Sequence, residues 1–335
     1  MRYHHPGWPG GGPESAGGAG SNQPSEELAG MASRSLATSV GKLALRSPLI
    51  AASGTVGSVW EWAEVADVRP YGAAVAKSVA PEAWQGRPAP RLAATTAGML
   101  NAVGIQNPGI ASWVVALKPR IPGLRVPVWG SAVAGDADGF VLVAEGLVSA
   151  GVTAVEVNLS CPNLEDGEMF SFCASRSSEV IGAVTGSVDV SVGAKLSPNT
   201  PDVVGVAQAC RDAGADFVVL TNTAFGFGLS LSDRKPLLSG GVGGYSGPGL
   251  KPLSLRCVYE VARAIPDLGI VGCGGVSSGA DVAEYLVAGA SAVELGTVHL
   301  AEPKAGIRIT NELVELMAKL DVESVADLVG TVRSW

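Results

Sequence analysis

The sequence predicts an α/β fold, a single (β/α)8 TIM barrel, and three observations carry that reading. Eight short apolar runs recur along the 335 residues, each followed by a helical pattern. Most of these runs are continuously apolar rather than alternating, as parallel strands covered on both faces should be. Three helical patterns also close on the same pair, Ala150-Gly151, Ala213-Gly214 and Ala288-Gly289, a few residues before the next apolar run. Glycine suits the left-handed residue that ends a helix.

Residues 1–33 are rich in Gly, Pro, Ser and Glu without periodicity and read as a disordered extension, which leaves 34–335 for the barrel. The candidate strands follow in order: LIAASGT (49–55), AAVAKSV (73–79), VPVWGSAV (126–133), AVEVNLS (154–160), SVGAKLS (191–197), DFVVLTNT (216–223), IVGCGG (270–275) and AVELGT (292–297). Helical patterns lie between them. In GADVAEYLVAGA, for example, Val282, Ala283, Leu286 and Val287 fall on one face. Two connections are long, 80–108 after strand 2 and the Gly/Ser-rich 224–249 after strand 6. Both leave from the C-terminal ends of strands, where barrels keep their chemistry, and long loops there read as lids or binding loops.

Composition narrows the function. Apolar residues make up 47% and charged residues 16%, with 45 glycines, which suits a large core cut by tight turns. A net charge of −8 argues against a general attraction to nucleic acid. No apolar stretch approaches the ~20 residues that span a bilayer, and the first residues lack the apolar centre of a secretory signal, so a cytoplasmic address is expected. The five cysteines (Cys161, Cys173, Cys210, Cys257 and Cys273) form no CxxC pair, so neither a disulfide framework nor a zinc site is expected. His4 and His5 lie in the extension and His299 stands alone, so no metal site or histidine-based catalytic group is expected.

The informative residues are polar side chains inside or just beyond apolar strands. Ser53, Lys77, Asn158, Lys195, Asn222, Thr223 and Thr297 all fall at the C-terminal rim. Lys77 alone reads equally well as a strand-end lysine that reaches for water, but seven such residues on one rim point to a site. The sharpest motif is Asn158-Leu159-Ser160-Cys161-Pro162-Asn163, a thiol between two amides on a strand-to-loop turn. A lone buried cysteine is more often structural. The flanking amides supply the donors and acceptors that a planar imide requires.

Together with that hexapeptide, Asn101-Ala102-Val103-Gly104-Ile105-Gln106-Asn107-Pro108-Gly109, Lys195-Leu196-Ser197-Pro198, Thr221-Asn222-Thr223 and Gly243-Gly244-Tyr245-Ser246-Gly247-Pro248 stand in the order seen in dihydroorotate dehydrogenases. The resemblance covers about residues 42–320 and is to class 1. Its QNPG stretch and the length of the loop after strand 6 are more similar to the 1B catalytic subunit than to the 1A branch. It implies an oxidoreductase that converts (S)-dihydroorotate to orotate in de novo pyrimidine biosynthesis, with FMN receiving the electrons. By that similarity Cys161 would take the C5 proton while the C6 hydride passes to flavin N5. Lys77, Asn101, Val103, Gly104, Ile105, Asn158, Asn163, Asn222 and Thr223 would surround the substrate. Ser53, Lys77, Ser78, Asn158, Lys195, Thr221 and Gly247 would contact FMN, with Ser131 standing where the family commonly has an asparagine. Gly274-Gly275 and Gly296-Thr297 would cradle its phosphate. Cys173 occupies a loop position where glycine is usual.

The 1B resemblance also implies a homodimer and a second subunit carrying FAD and an iron–sulfur cluster. This chain itself has neither a four-cysteine cluster nor a GxGxxG fingerprint. Two other enzyme readings stay open: a relative acting on another cyclic amide or enoate (a dihydropyrimidine or specialised metabolite), and a flavin-free phosphate-binding barrel lyase, which leaves NLSCPN unexplained. A non-catalytic scaffold for a partner subunit is the third alternative.

Overall fold

The computed structural model describes residues 34–160 and 169–334. Its centre is a closed barrel of eight parallel strands: β1 (Leu49–Ala51), β2 (Ala73–Val75), β3 (Val128–Ala132), β4 (Ala154–Asn158), β5 (Ser191–Leu196), β6 (Phe217–Leu220), β7 (Gly269–Cys273) and β8 (Ala292–Leu295). Strands adjacent in sequence are adjacent in space, and β8 pairs with β1 to close the ring. The helices that follow the strands are α1 (Trp60–Ala63), α2 (Ile110–Leu117), α3 (Ala137–Ala150), α4 (Ala174–Ser187), α5 (Val203–Asp212), α6 (Lys251–Ala264), α7 (Gly279–Ala288), α8 (Val298–Ala301) and α9 (Ala305–Lys319).

All eight expected strands form, but each is shorter than its apolar run. Pairing stops at Ala51, Val75, Leu220 and Leu295, so Ser53, Lys77, Asn222, Thr223 and Thr297 lie past the ladder, on the loops at the barrel mouth. Backbone signals set the helix ends. Asp136 caps α3 by accepting from Gly139 N at 2.8 Å, and Asp202 caps α5 in the same way from Gly205 N. Ser278 and Asp281 form a capping box at α7. The repeated glycine closes α3, α5 and α7 in turn: Gly151, Gly214 and Gly289 have φ of 99°, 100° and 117°.

Two apolar cores follow from the period-two alternation of strand side chains. The outward-facing set, including Val155, Val157, Ala194 and Leu196, packs under the helices against Leu147, Ile181 and Val206. The inward-facing set fills the barrel with Ile50, Val75, Trp129, Phe217, Val219 and Val271. Trp129 and Phe217 meet there with ring centroids 5.1 Å apart. A hairpin of Thr38–Val40 and Leu43–Leu45 lies across the N-terminal end of the barrel, with Val40 and Leu45 joining this inner core and Lys42 pairing with Asp216 at 2.8 Å.

The two long connections are not simple loops. Leu92–Thr95 and Gly98–Asn101 form a hairpin in the first, and Gly98–Asn101 pairs with Gly243–Ser246 from the second, which pairs in turn with Ala224–Gly226. The result is a four-stranded antiparallel sheet over the C-terminal mouth. Among the described residues no helix is long and apolar enough to cross a membrane.

Candidate active site

The C-terminal mouth holds a cavity of about 350 Å³. Its floor comes from strand ends (Lys77, Ser78, Asn158, Ser160, Asn222, Thr223) and its roof from the two insertions (Arg87, Asn101 to Ile105, Phe225, Gly240, Val242 to Gly244). Met169 completes the lining. Of the residues expected around a substrate, Lys77, Asn101, Val103, Gly104, Ile105, Asn158, Asn222 and Thr223 therefore share one cavity. Cys161 and Asn163 lie outside the described residues.

Asn158 is the hub of the floor. It ends β4 with its side chain on the inner face, where Nδ2 donates to Ser78 Oγ at 3.3 Å. Its Oδ1 accepts from Ser160 Oγ at 2.9 Å and from Asn222 Nδ2 at 3.4 Å. Asn222 Nδ2 also donates to Ser160 Oγ at 2.8 Å. This small network fixes the backbone that enters residue 161. Such a set of oriented amides presents both donors and acceptors to a bound molecule.

The roof is positioned by equally specific contacts. The buried Asn107 accepts from Ala80 N (3.1 Å) and Gly109 N (2.8 Å) through Oδ1 and donates to Ile105 O (2.7 Å), so the QNPG stretch clamps its own loop. Gly104 has φ 76°, and a Cβ there would stand 2.6 Å from the Trp84 ring, so only glycine fits without displacing that ring. Asn101 donates to Gly244 O at 3.2 Å, tying the first insertion to the second.

The expected cofactor residues divide into two groups. Lys77, Ser78 and Asn158 line the cavity; the others are placed around and below it rather than in its lining. Ser53 Oγ donates to Ala76 O, and the buried Ser131 shares a 2.8 Å hydrogen bond with Ser78. Thr221 is buried against Ser254 at 2.7 Å. Gly247, Gly274 and Gly275 all have positive φ (97°, 131° and 72°), and a Cβ at Gly275 would stand 2.6 Å from Lys251 N. At Gly296, by contrast, a Cβ would meet nothing nearer than Ala52 Cβ at 3.6 Å, and Thr297 follows it at the start of α8. A Cβ at Gly296 would thus make only an ordinary van der Waals contact.

Lys195 is 5% exposed, and its Nζ lies 2.6 Å from Glu294 Oε2 and 3.5 Å from Glu156 Oε1. Both glutamates are 0% exposed. Burial opposes the Lys195 charge, but Glu156 and Glu294 outweigh it and hold the ammonium well above its ordinary value. Sequence reasoning missed these two carboxyls as well as Arg87, Ser160, Met169, Phe225 and Gly240. The signal for the glutamates was present: each is a charge in the middle of an apolar strand, and Glu156 has the same parity as Asn158. Among the described residues no group of His, Cys, Asp and Glu could hold a metal ion, and His299 is a buried residue bonded to Tyr71 Oη at 2.8 Å.

Comparison with known proteins agrees with this architecture. A family model described as dihydroorotate dehydrogenase matches residues 35–317. The protein named dihydroorotate dehydrogenase B (NAD(+)), catalytic subunit, from Geobacter sp. (strain M21) is 37% identical over 300 residues, covering 89% of this chain and 98% of the relative. The protein of the same name from Listeria monocytogenes serovar 1/2a is 38% identical over 295 residues, covering 88% and 97%. The crystal structure of DHODH in complex with ferulenol from Eimeria tenella superimposes with a TM-score of 0.74 at 20% identity over 88% of each chain, a likeness of fold. With the family model spanning nearly all of the barrel and such relatives matched almost end to end, this chain belongs to the dihydroorotate dehydrogenase family.

Proposed function

We propose that this protein oxidises (S)-dihydroorotate to orotate in pyrimidine biosynthesis as the FMN-containing catalytic subunit of a 1B-type enzyme. The observation that carries the reading is the convergence of Lys77, Asn101, Asn158 and Asn222 on one cavity in a chain of this family. A dihydropyrimidine ring carries imide edges and a carboxylate, and amides with a cation complement both.

The residues present fit FMN. The backbone at Gly274-Gly275 and Gly296-Thr297 follows β7 and β8, where barrels hold phosphate, and Gly274 and Gly275 have the positive φ that lets bare backbone amides face a ligand. Ser53, Ser78, Ser131, Thr221 and Gly247 would hold the rest of the cofactor, and Lys195 would face the edge of the ring that gains charge on reduction. When bound, FMN supplies the hydride acceptor.

The chain's own residues do the rest. Asn101, Asn158, Asn163, Asn222 and Thr223 orient the substrate ring, while the backbone of Val103 to Ile105 and the Lys77 ammonium receive its carboxylate. The roof excludes water. Cys161 Sγ, as thiolate, removes the C5 proton, and the electron pair left on C5 forms the C5–C6 double bond as the C6 hydrogen leaves with its own pair. A free thiol titrates near ~8.5, so the loop must favour the thiolate or couple the two transfers.

The words catalytic subunit and NAD(+) in the relatives' names support a partner subunit and NAD as the final acceptor. The 1B resemblance adds FAD and an iron–sulfur cluster on that partner and this chain as a cytoplasmic homodimer. The deciding experiment is an anaerobic visible spectrum before and after dihydroorotate. An oxidised flavin band that bleaches is expected; a yellow protein that does not bleach sinks the substrate, and a colourless protein that FMN cannot reconstitute sinks the cofactor. Cys161→Ser is expected to slow bleaching strongly at neutral pH, and unchanged bleaching removes Cys161 from its role.

A further inference from the structure

Below the cavity, the barrel interior contains a charge cluster that the reaction above leaves partly unexplained. Glu156 on β4, Lys195 on β5 and Glu294 on β8 occupy inward-facing positions, with the Cys273 thiol of β7 beside them. Lys195 sits across from Asn158 in the β4–β5 register, so the cluster lies directly under the floor of the site. One ammonium faces two carboxyls, and both are sealed from water. Lys195 bonds Glu294 Oε2 and pairs with Glu156 Oε1 only at 3.5 Å, and among the described residues Glu156 Oε1, Glu156 Oε2 and Glu294 Oε1 are buried without a hydrogen-bond partner.

Three buried carboxyl oxygens without a hydrogen bond, and a second negative charge for which the described residues show no second cation, are costly unless a proton is added. We propose that Glu156 and Glu294 share one proton, carried on Glu156, so that the cluster with Lys195 is electrically neutral and sets the potential under the flavin. This inference rests on the FMN reading. A proton between the two carboxyls supplies the missing donor and removes the excess charge together, as in other sites where two carboxyls cannot both ionise.

The neighbours agree. Burial, then the Glu294 charge, push Glu156 well above the usual carboxylate range. Burial also works against Glu294, but the Lys195 ammonium outweighs it and holds that carboxyl below its ordinary value. Burial pushes the Cys273 thiol up and keeps it neutral. Glu156 and Glu294 are therefore positioning residues: they hold Lys195 charged and in place without leaving a net charge beside the ring.

A shared proton makes an unusual prediction for the amide variants. In Glu156→Gln the ionised Glu294 still balances Lys195, and in Glu294→Gln Glu156 gives up its proton and takes over. Each single variant keeps a neutral cluster; only the double variant leaves Lys195 uncompensated. The test is the flavin midpoint potential of the full-length FMN-loaded protein. Singles near wild type and a double shifted positive by much more than their sum are expected. Two ionised carboxyls would instead give positive shifts in each single that add in the double, which overturns the proposal.

Infrared spectroscopy supplies a readout that does not depend on the flavin potential, and its first arm needs only the wild-type protein. The wild-type protein is expected to show the carbonyl band of a buried carboxylic acid at neutral pH, lost in Glu156→Gln. Absence of the band in a yellow, active wild type overturns the shared proton while leaving the FMN reading intact. Failure to bind FMN overturns that reading, and the band still reports on the cluster.

Discussion

The side-chain amide of Asn222 donates a 2.8 Å hydrogen bond to Ser160 Oγ, which ties the loop after β6 to the residue immediately before Cys161. Two segments 62 residues apart in the sequence are thereby joined to each other and to Asn158.

Asn222→Ala removes that bond and one amide from the cavity. A lost bond of this kind is worth about 1 kcal/mol, about fivefold in rate, and the lost substrate contact adds to it. Stopped-flow flavin reduction by dihydroorotate is expected to slow by at least about tenfold with little change in flavin content; a rate equal to wild type counts against the site.

Arg87 brings a second cation to the cavity beside Lys77, and its backbone N–H donates to Val103 O at 3.0 Å. A charge-assisted hydrogen bond to an anionic substrate is worth roughly 1.5–3 kcal/mol. Arg87→Ala is expected to raise KM for dihydroorotate by about ten- to a hundredfold and to leave kcat nearly unchanged. An unaltered KM shows that the guanidinium serves the roof alone.

Gly104 is the tightest point of the roof. In Gly104→Ala the left-handed backbone costs about 1–2 kcal/mol, before any displacement of the Trp84 ring. Substrate affinity is expected to fall about tenfold or more while the melting temperature changes by a few degrees at most, because the roof lies outside both main cores. Titrating the oxidised enzyme with orotate and following the flavin spectrum measures it.

His299 makes stability depend on pH. Burial lowers its pKa from 6.5 to about 4, so between these values the unfolded chain binds a proton that the folded chain refuses. Stability from this residue is therefore complete above about pH 6.5 and falls as the pH drops towards 4, by up to ~3 kcal/mol. Denaturant melts at pH 7.5 and 5 should show a smaller difference in His299→Gln than in wild type; equal differences exclude His299 as a source.

Much of the barrel was legible because its signals are local. A continuous apolar run states a doubly covered strand, and Gly151, Gly214 and Gly289 state where a helix must stop. The rim residues were legible because a polar side chain at the end of such a run is rare. What escaped depends on partners distant in the chain. The hairpin of Leu92–Thr95 and Gly98–Asn101 is local, but it grows into a four-stranded sheet only because Gly243–Ser246 comes to it from the second insertion. His299 reads as isolated until Tyr71 reaches it. An arginine in a Pro-rich stretch such as 86–90 reads as solvated, and nothing near Arg87 in sequence says that it roofs a cavity.

Ser35 N–H donates to Glu323 O at 2.8 Å and Ser35 O accepts from Val325 N at 3.0 Å, so the first and last described segments run side by side. They do so near Thr38 and Ser291, at the pole of the barrel away from the mouth. The backbone at Ser35 and at Glu323 to Val325 is therefore held on the face opposite the cavity. In a chain without residues 1–33, joining Arg34 to the segment after Val325 by a short linker and opening the ring at an exposed helix-to-strand turn should give a permuted chain that keeps the same geometry.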